Sequence, residues 1–495
     1  NVGTKIYGQT FTEVGVHDSI FETLQTAIGC DSVVMHKVVV KPDPTKLNYY
    51  VKMNKENDGD GRDWDNAMSG EDFATYLPLA PDGSTFYVAE GEYKLCTSIS
   101  DFETNYYNRS FFIQSNVSIL GGYSNNSSTN TEIHDNTLYP TIFSGDCGEK
   151  TPSLKDYILN SSIDSWNYDR SDTQVLFYIA DGCDVKFKDL FFESSKLSSI
   201  VAETGNLMVE DCFFQENSSG IANDNASCIS SKGSLILTNC AFEYNKCQNG
   251  YSGLIYFADE CTIKNCTFSY NYGAYSPGGF IGSYSRSKKG KLSVIQSIFI
   301  NNNKNNNTPS ATLFNVNESF SSENCVYINN DFSRALILNR QTDSVSVSFV
   351  NNTVVCDSLY DDVPLFQAPQ IDAEFSGNIL CMHGNEFVRC NGNKINSKYN
   401  LFSELNVGSN WAKYYWTPSA TDIVVEKRED AYALFDDPSL SAVLIKDKLS
   451  EDVNIRFPLT ETAVSVDQRG VERLDPTCMG AYEIGCGNDT TIATV

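Results

Sequence analysis

From about residue 180 the chain repeats one short pattern of apolar and polar positions. It reads Cys212-Phe-Phe214-Gln-Glu-Asn217, then Cys240-Ala-Phe242-Glu-Tyr-Asn245, then Cys266-Thr-Phe268-Ser-Tyr-Asn271. Ser297-Ile-Phe299-Ile-Asn-Asn302 and Cys325-Val-Tyr327-Ile-Asn-Asn330 follow, with degenerate copies at Phe349-Val-Asn-Asn352 and Phe375-Ser-Gly-Asn378. The aromatic positions are 28, 26, 31, 28, 22 and 26 residues apart. Between them lie runs such as Leu235-Ile-Leu-Thr-Asn-Cys240 and Leu292-Ser-Val-Ile-Gln-Ser-Ile298, which alternate with the period of a strand buried on one face. Helical periodicity is confined to residues near 72–76 and 428–434.

A quasi-regular repeat of this length predicts one coil of a β-solenoid per repeat, with loops of variable length. Equivalent residues then stack about 4.8 Å apart. The Phe column fills the interior. The Asn column sits at turns, where Asn tolerates left-handed backbone and its amide reaches the next coil. Cys two positions before Phe faces the same interior. In-register Cβ atoms at coil spacing are too far apart for a disulfide, which needs about 3.8 Å. Cys212, Cys240 and Cys266 are therefore expected as buried thiols, and the locally spaced pairs Cys381/Cys390 and Cys478/Cys486 are the disulfide candidates. The expected fold is all-β: a right-handed single-stranded parallel β-helix with a small N-terminal β-rich module.

Charge narrows the function. The 495 residues carry 63 acidic and 36 basic side chains, a formal net charge of −27. Such a surface repels nucleic acid and anionic lipid and permits cations or neutral glycans. No run of 18 apolar residues spans a membrane. The 16 cysteines show no zinc spacing, and His17, His36, His134 and His383 are scattered. The first residue is Asn1, so the chain is expected to be a mature or excised piece of a longer precursor.

Two resemblances cover most of the chain. The repeated Phe-x-x-Asn, with Pro277-Gly-Gly-Phe-Ile-Gly282 and Ser252-Gly-Leu-Ile255, resembles the polymorphic outer-membrane proteins of chlamydiae, whose β-helical passengers act as adhesins. The flanks resemble pectate-lyase-like β-helix proteins of Bacteroidetes. The residues that carry this are Asp58-Gly-Asp-Gly-Arg-Asp-Trp-Asp-Asn-Ala67, Phe86-Tyr-Val-Ala-Glu-Gly-Glu-Tyr93, Val117-Ser-Ile-Leu-Gly-Gly-Tyr123, Thr141-Ile-Phe-Ser-Gly-Asp146, Asp467-Gln-Arg-Gly-Val-Glu-Arg473 and Met479-Gly-Ala-Tyr-Glu483. Residues 1–41, with Leu24-Gln-Thr-Ala-Ile-Gly-Cys-Asp-Ser-Val-Val34, resemble a small β module of secreted Bacteroidetes proteins. The final Asp489-Thr-Thr-Ile-Ala-Thr-Val495 resembles the strand that precedes that module. This implies an array whose units join head to tail, or neighbouring modules of one longer chain.

Candidate chemistry is sparse. The lyases of this shape use Ca²⁺-binding acids and an Arg or Lys base on one face, but no Trp-x-Asp-His or Arg-x-Pro-x-x-Arg motif is present. The pairs Asp361-Asp362, Asp436-Asp437 and Glu451-Asp452 are adjacent in sequence. On a strand such neighbours face opposite ways and cannot serve as a glycosidase pair. Asp58, Asp60 and Asp63 have a spacing that could wrap Ca²⁺, and equally that of a structural turn. Asn108, Asn116, Asn160, Asn217, Asn225, Asn265 and Asn317 open glycosylation sequons, and Ser19, Ser344, Ser358 and Thr490 lie in Asp-Ser/Thr motifs of the kind Bacteroidetes glycosylate.

Residues 1–41 are thus expected as the small module, 42–485 as the β-helix with caps near Trp64 and 480–483, and 486–495 as a linker or donor strand. The expected role is a secreted, cell-surface structural or adhesive module, not an enzyme, with no catalytic, metal or cofactor residue assigned. Glycans and other copies of the chain are the expected partners. The alternative is a polysaccharide-binding or lyase-like polysaccharide-degrading β-helix, with exposed Trp or Tyr along a groove or a basic residue beside paired acids.

Overall fold

In the computed structural model the described residues are 4–482, less 7–8, 12–13, 26–30, 55, 97–108, 127–133, 149–152, 160–174, 220–225, 249–252, 275–278, 284–289, 304–311, 332–334, 339–343, 357–363, 383–386, 391, 404–417, 426–455 and 460–463. Three long parallel sheets run through them, of 12, 12 and 10 strands. Sheet I runs from Asn48–Val51 to Gly392–Lys398, sheet II from Gly91–Tyr93 to Ile423–Val425, and sheet III from Phe111–Ile113 to Val388–Arg389. From Phe111 to Leu401 the chain visits them in the order III, I, II, as in Val175–Ile179, Val185–Lys188 and Phe191–Glu193. Each strand pairs with its counterpart in the next coil, which makes an all-β parallel β-helix.

Two corners of the coil are set by single residues with left-handed backbone. Between sheets I and II these are Asp189, Asp211, Asn239, Asn265, Gln296, Asn324, Asn351 and Tyr399, with φ from 49° to 56°. After sheet II they are Ser194, Glu216, Tyr244, Tyr270, Asn301 and Asn329. Asn and Asp dominate the first column because their short side chains tolerate this region. Directly after the second corner comes the predicted Asn column. Asn245 Nδ2 donates to Asn271 Oδ1 at 2.9 Å and to the Phe214 carbonyl at 2.9 Å. Its Oδ1 accepts from the backbone N and the Nδ2 of Asn217, both at 3.0 Å. Asn217 is fully buried, so that sequon has no room for a glycan.

The aromatic column fills sheet II. Phe214, Phe242, Phe268 and Phe299 stack with successive ring centroids 4.6 Å apart, nearly parallel and buried. Phe349 and Phe375 do not continue it. They lie in the sheet I strands Ser344–Val350 and Gln370–Ser376, and sheet II has Val354 and Leu380 in those coils. The interior cross-section must stay filled, so the bulky side chain changes walls. The changeover is the coil where Tyr327 in sheet II faces Ser322 in sheet I, their hydroxyls 2.7 Å apart. Asn352 and Asn378 therefore continue the cysteine column, which runs Cys212, Cys240, Cys266, Ser297, Cys325, Asn352, Asn378, Asn400 beside the first corner.

Cys212, Cys240, Cys266 and Cys325 are buried thiols, as expected. Cys381 is one as well, so the Cys381/Cys390 bridge does not form, and Cys486 lies outside the described residues. Among the described residues the disulfide that does form joins Cys96 to Cys147, a pair without local spacing.

Both expected caps differ from the structure. The helix Gly70–Tyr76, started by a Ser69/Asp72 capping box, places Phe73 against Phe86, Phe111 and Phe143 in the first coils. Trp64 lies instead on the outside of sheet I, packed with Tyr50 and Tyr123. At the other end, residues 464–482 run back along the side of the coils. Buried Arg473 donates to Asn324 Oδ1 at 2.7 Å and to the Gly480 carbonyl at 2.9 Å. Met479, Ala481 and Tyr482 cover Ile300, Ile328, Val355 and Ile379 on the outer face of sheet II. Ahead of the coils, residues 4–40 form two antiparallel pairs, Thr4–Ile6 with Gln9–Phe11 and Gly15–Gln25 with Asp31–Val40. The possible helix near 428–434 and the tail 486–495 lie outside the described residues.

Candidate functional site

Strand alternation sends Tyr49, Val51, Phe86 and Val88 inward and Tyr50 and Tyr87 outward in the first coils of sheet I. Register carries that outward column from Tyr50 through Tyr87, Leu120, Lys188, Glu210 and Thr238 to Lys264. The column is aromatic and apolar at one end and charged at the other.

Tyr50 and Tyr87 stack with centroids 5.2 Å apart and planes 20° apart, and both are half-buried. Trp64 meets Tyr50 edge-on at 5.0 Å and Tyr123 at 5.6 Å. The turn Trp64–Asn66 that places Trp64 is held by Asp63, whose carboxylate accepts from the Asn66 backbone N at 2.9 Å. Trp64 is 7% exposed, and its indole Nε1 has no hydrogen-bond acceptor. Burial, together with Tyr87 and Asp189 nearby, pushes the Tyr123 phenol up to about 12.

The charged end is built at the first corner. Asp189 and Asp211 occupy that corner in consecutive coils. Lys188 Nζ lies 2.6 Å from Asp211 Oδ2 and 4.0 Å from Asp189 Oδ2. Asn239 Nδ2 donates to Asp211 Oδ1 at 3.0 Å. His134 Nδ1 lies 3.0 Å from Asp189 Oδ2, and its ring is 5.7 Å from Tyr123. His134 is held in place by its neighbours: Asp135 N donates to the Gly122 carbonyl at 2.8 Å, and Asn136 Nδ2 donates to the Asp211 carbonyl at 3.0 Å. Gly121 is required here, because a Cβ would come within 2.4 Å of the Asp189 carbonyl oxygen.

The two carboxyls are pushed in opposite directions. Burial raises Asp189 above the ordinary carboxylate range despite Lys188 and His134. At Asp211 burial also raises, but the bonds from Lys188 and Asn239 outweigh it and hold the group low. The Asp211 bond in turn raises Lys188 and keeps it an ammonium. Carboxyls so separated can divide acid and base work.

A second cluster lies on sheet II. Burial, with Glu92 and Glu216, pushes Glu193 up to about 7. Glu216 is committed to structure, since it accepts from Leu154 N at 2.7 Å where the helix Leu154–Leu159 begins. Lys94 Nζ pairs with Glu92 at 2.8 Å. The sheet I cluster has an aromatic platform in its own column, so it is the stronger candidate.

The residues singled out from sequence fare differently. Arg62 Nη1 engages Asp58 at 2.9 Å and Asp60 at 3.2 Å, so a cation there would have to displace it. Among the described residues no group of three His, Cys, Asp or Glu is arranged to hold a metal. The adjacent acid pairs at 361–362, 436–437 and 451–452, and Ser358 and Thr490, lie outside the described residues; Ser344 and Asn265 are exposed. Lys188, Asp189, Asp211 and His134 were not singled out. The alternating Val185-Lys-Phe-Lys-Asp189 was a usable signal for the first two, once the corner position was known.

The fold defines the class, an all-β parallel β-helix. No protein-family model and no curated protein matches the chain. Among solved structures it is similar to a pectate lyase, Pel9A, at 13% identity and TM-score 0.42, over 89% of this chain and 97% of that one. It is also similar to a rhamnogalacturonan lyase at 13% identity and TM-score 0.40, over 87% and 96%. At this identity the likeness is one of fold. Both named structures are lyases, a property of those proteins that such a likeness does not carry to this chain; the expectation that the chain is not an enzyme is withdrawn on other grounds. That expectation rested on missing sequence motifs, which exclude nothing at such divergence. The structural or adhesive reading gains no support from these comparisons.

Proposed function

We propose that the protein binds and degrades a polysaccharide on the outer face of sheet I, in its first coils. The observation that carries this is the single outward column in which the Tyr50–Tyr87 stack leads to Lys188 beside Asp189 and Asp211. Sugar rings lay their C–H faces on aromatic rings and turn their hydroxyls to polar groups, and an aromatic surface with a few convergent polar groups is the usual form of a ligand site. With a net charge of −27 the protein favours a neutral glycan over a polyanion. A polymer substrate suits a secreted protein, the location this reading takes.

The test is retardation in native gels containing neutral polysaccharides, with pectate and rhamnogalacturonan for comparison. At least one neutral polymer is expected to retard the protein. Tyr50→Ala with Tyr87→Ala is expected to weaken retardation about tenfold or more, since each ring contact contributes roughly 0.5–1.5 kcal/mol. The melting temperature should fall, because both rings pack on the Trp64 and Tyr123 cluster, but the β fold, read by far-UV circular dichroism, should hold. Passage of the native protein through every gel without retardation overturns the reading.

A further inference from the structure

Resting on that reading, we propose that Asp189 and Asp211 cleave the bound glycan by hydrolysis, with Asp189 as the acid and Asp211 as the nucleophile. Four observations point to this pair. The residues hold the same corner in neighbouring coils, so their carboxyls emerge side by side. Oxygens 2.6 and 4.0 Å from one ammonium can be no more than about 6.6 Å apart, which favours the close-set class of about 5–5.5 Å over the roughly 6.5–9.5 Å class that leaves space for a water. Their environments differ as the roles require. The Asp189 side chain is 10% exposed, and Asp211 is anchored by Lys188 and Asn239. His134, 42% exposed and bonded to Asp189, connects that carboxyl to solvent and can return its proton.

The alternative chemistry, elimination, needs a base to remove a ring proton beside a sugar carboxylate. Lys188 is held as an ammonium by Asp211 and cannot take a proton. The acidic surface also repels the uronate polymer that elimination requires.

In the first step an Asp211 oxygen attacks the anomeric carbon. The bond to the leaving sugar breaks, its electron pair stays on the glycosidic oxygen, and that oxygen takes the proton of Asp189. The product is an Asp211 glycosyl ester and an Asp189 carboxylate. In the second step Asp189 takes a proton from water as the water oxygen attacks the same carbon and displaces Asp211. The sum is one water added across the glycosidic bond, with both carboxyls restored.

The experiment follows the full chain on the polysaccharide that retards it, assaying new reducing ends and, separately, the absorbance of unsaturated ends. Reducing ends without unsaturation are expected. Asp211→Asn should lower the rate about a thousandfold while retardation and melting temperature hold, and added azide should restore turnover with a glycosyl azide as product. Asp189→Asn should lose the polymer but retain much of its rate on an aryl glycoside, whose leaving group needs no proton. Unsaturated products, wild-type rates in Asp211→Asn, or retardation with no cleavage at all each overturn the assignment while the sugar-binding surface stands. Absence of both retardation and cleavage overturns the surface as well.

Discussion

At the scale of single residues, the columns of side chains are where stability is concentrated. The Asn245 side chain makes four bonds to two neighbouring coils, all buried. Asn245→Ala leaves buried groups on Asn217, Asn271 and Phe214 with fewer partners, at about 1–3 kcal/mol each. The expected loss is at least about 3 kcal/mol, read from thermal or denaturant melting. Cys266→Ser is expected to be nearly neutral, because Ser297 holds the next place in the same column and accepts from Cys266 N at 3.1 Å. Glu193 gives a pH signature. Burial, Glu92 and Glu216 raise it from 4.5 to about 7 in the folded protein. Between those values the folded state keeps a proton that the unfolded state has lost, so stability falls as pH rises through this window and then levels off. Glu193→Gln should flatten that slope, by an amount on the order of 2–3 kcal/mol, measured as melting temperature against pH. The residues Phe242, Asn245 and Cys240 were legible from sequence because stacking repeats them. His134 and Asp189 were not, since they meet only after 55 positions of chain are wound into coils.

Among elements, the corners decide what each strand does. The sequence spacing of Phe349 to Asn352 equals that of Phe242 to Asn245, yet one pair spans the first corner and the other the second. Three-residue spacing cannot tell two corners apart, which is why the end of the aromatic column was misplaced. The segment 464–482 was misplaced for a related reason. The resemblance of its closing motif implied an end cap at 480–483, but the apolar surface its residues meet is the outer stripe Ile300, Ile328 and Val355. Arg473 fixes the segment, so Arg473→Met should free it. The loss of its bonds to Asn324 and Gly480 is expected to cost about 3 kcal/mol. Faster amide exchange in 464–482, with new dye binding to the bared stripe, would report the release. Unchanged exchange would mean that the segment is held by packing alone.

Across the whole molecule, the parallel β-helix was readable because one rule repeats along it, and the candidate site was not, because it occurs once. The Cys96–Cys147 disulfide is likewise a single event, closing a span of 51 residues near the first coils. Its reduction is expected to lower stability by roughly 2–4 kcal/mol, since a long closed loop restricts the unfolded chain. Melting with and without reductant checks this, and the effect should be absent in Cys96→Ala with Cys147→Ala.

From Val185 to Leu401 the corner between sheets I and II is two residues long in every coil, whereas over the same stretch the one after sheet II ranges from 4 residues, 194–197, to 13, 216–228. Over that stretch the tape wound on its triangular spool takes up no slack at the edge between sheets I and II. Foreign peptides grafted after sheet II should leave the winding intact and be displayed in a row at coil spacing. Deleting one residue at the other edge would turn the next strand inside out, putting its charges in the core and its rings in water. Over those coils the molecule is in this sense a scaffold with one fixed seam.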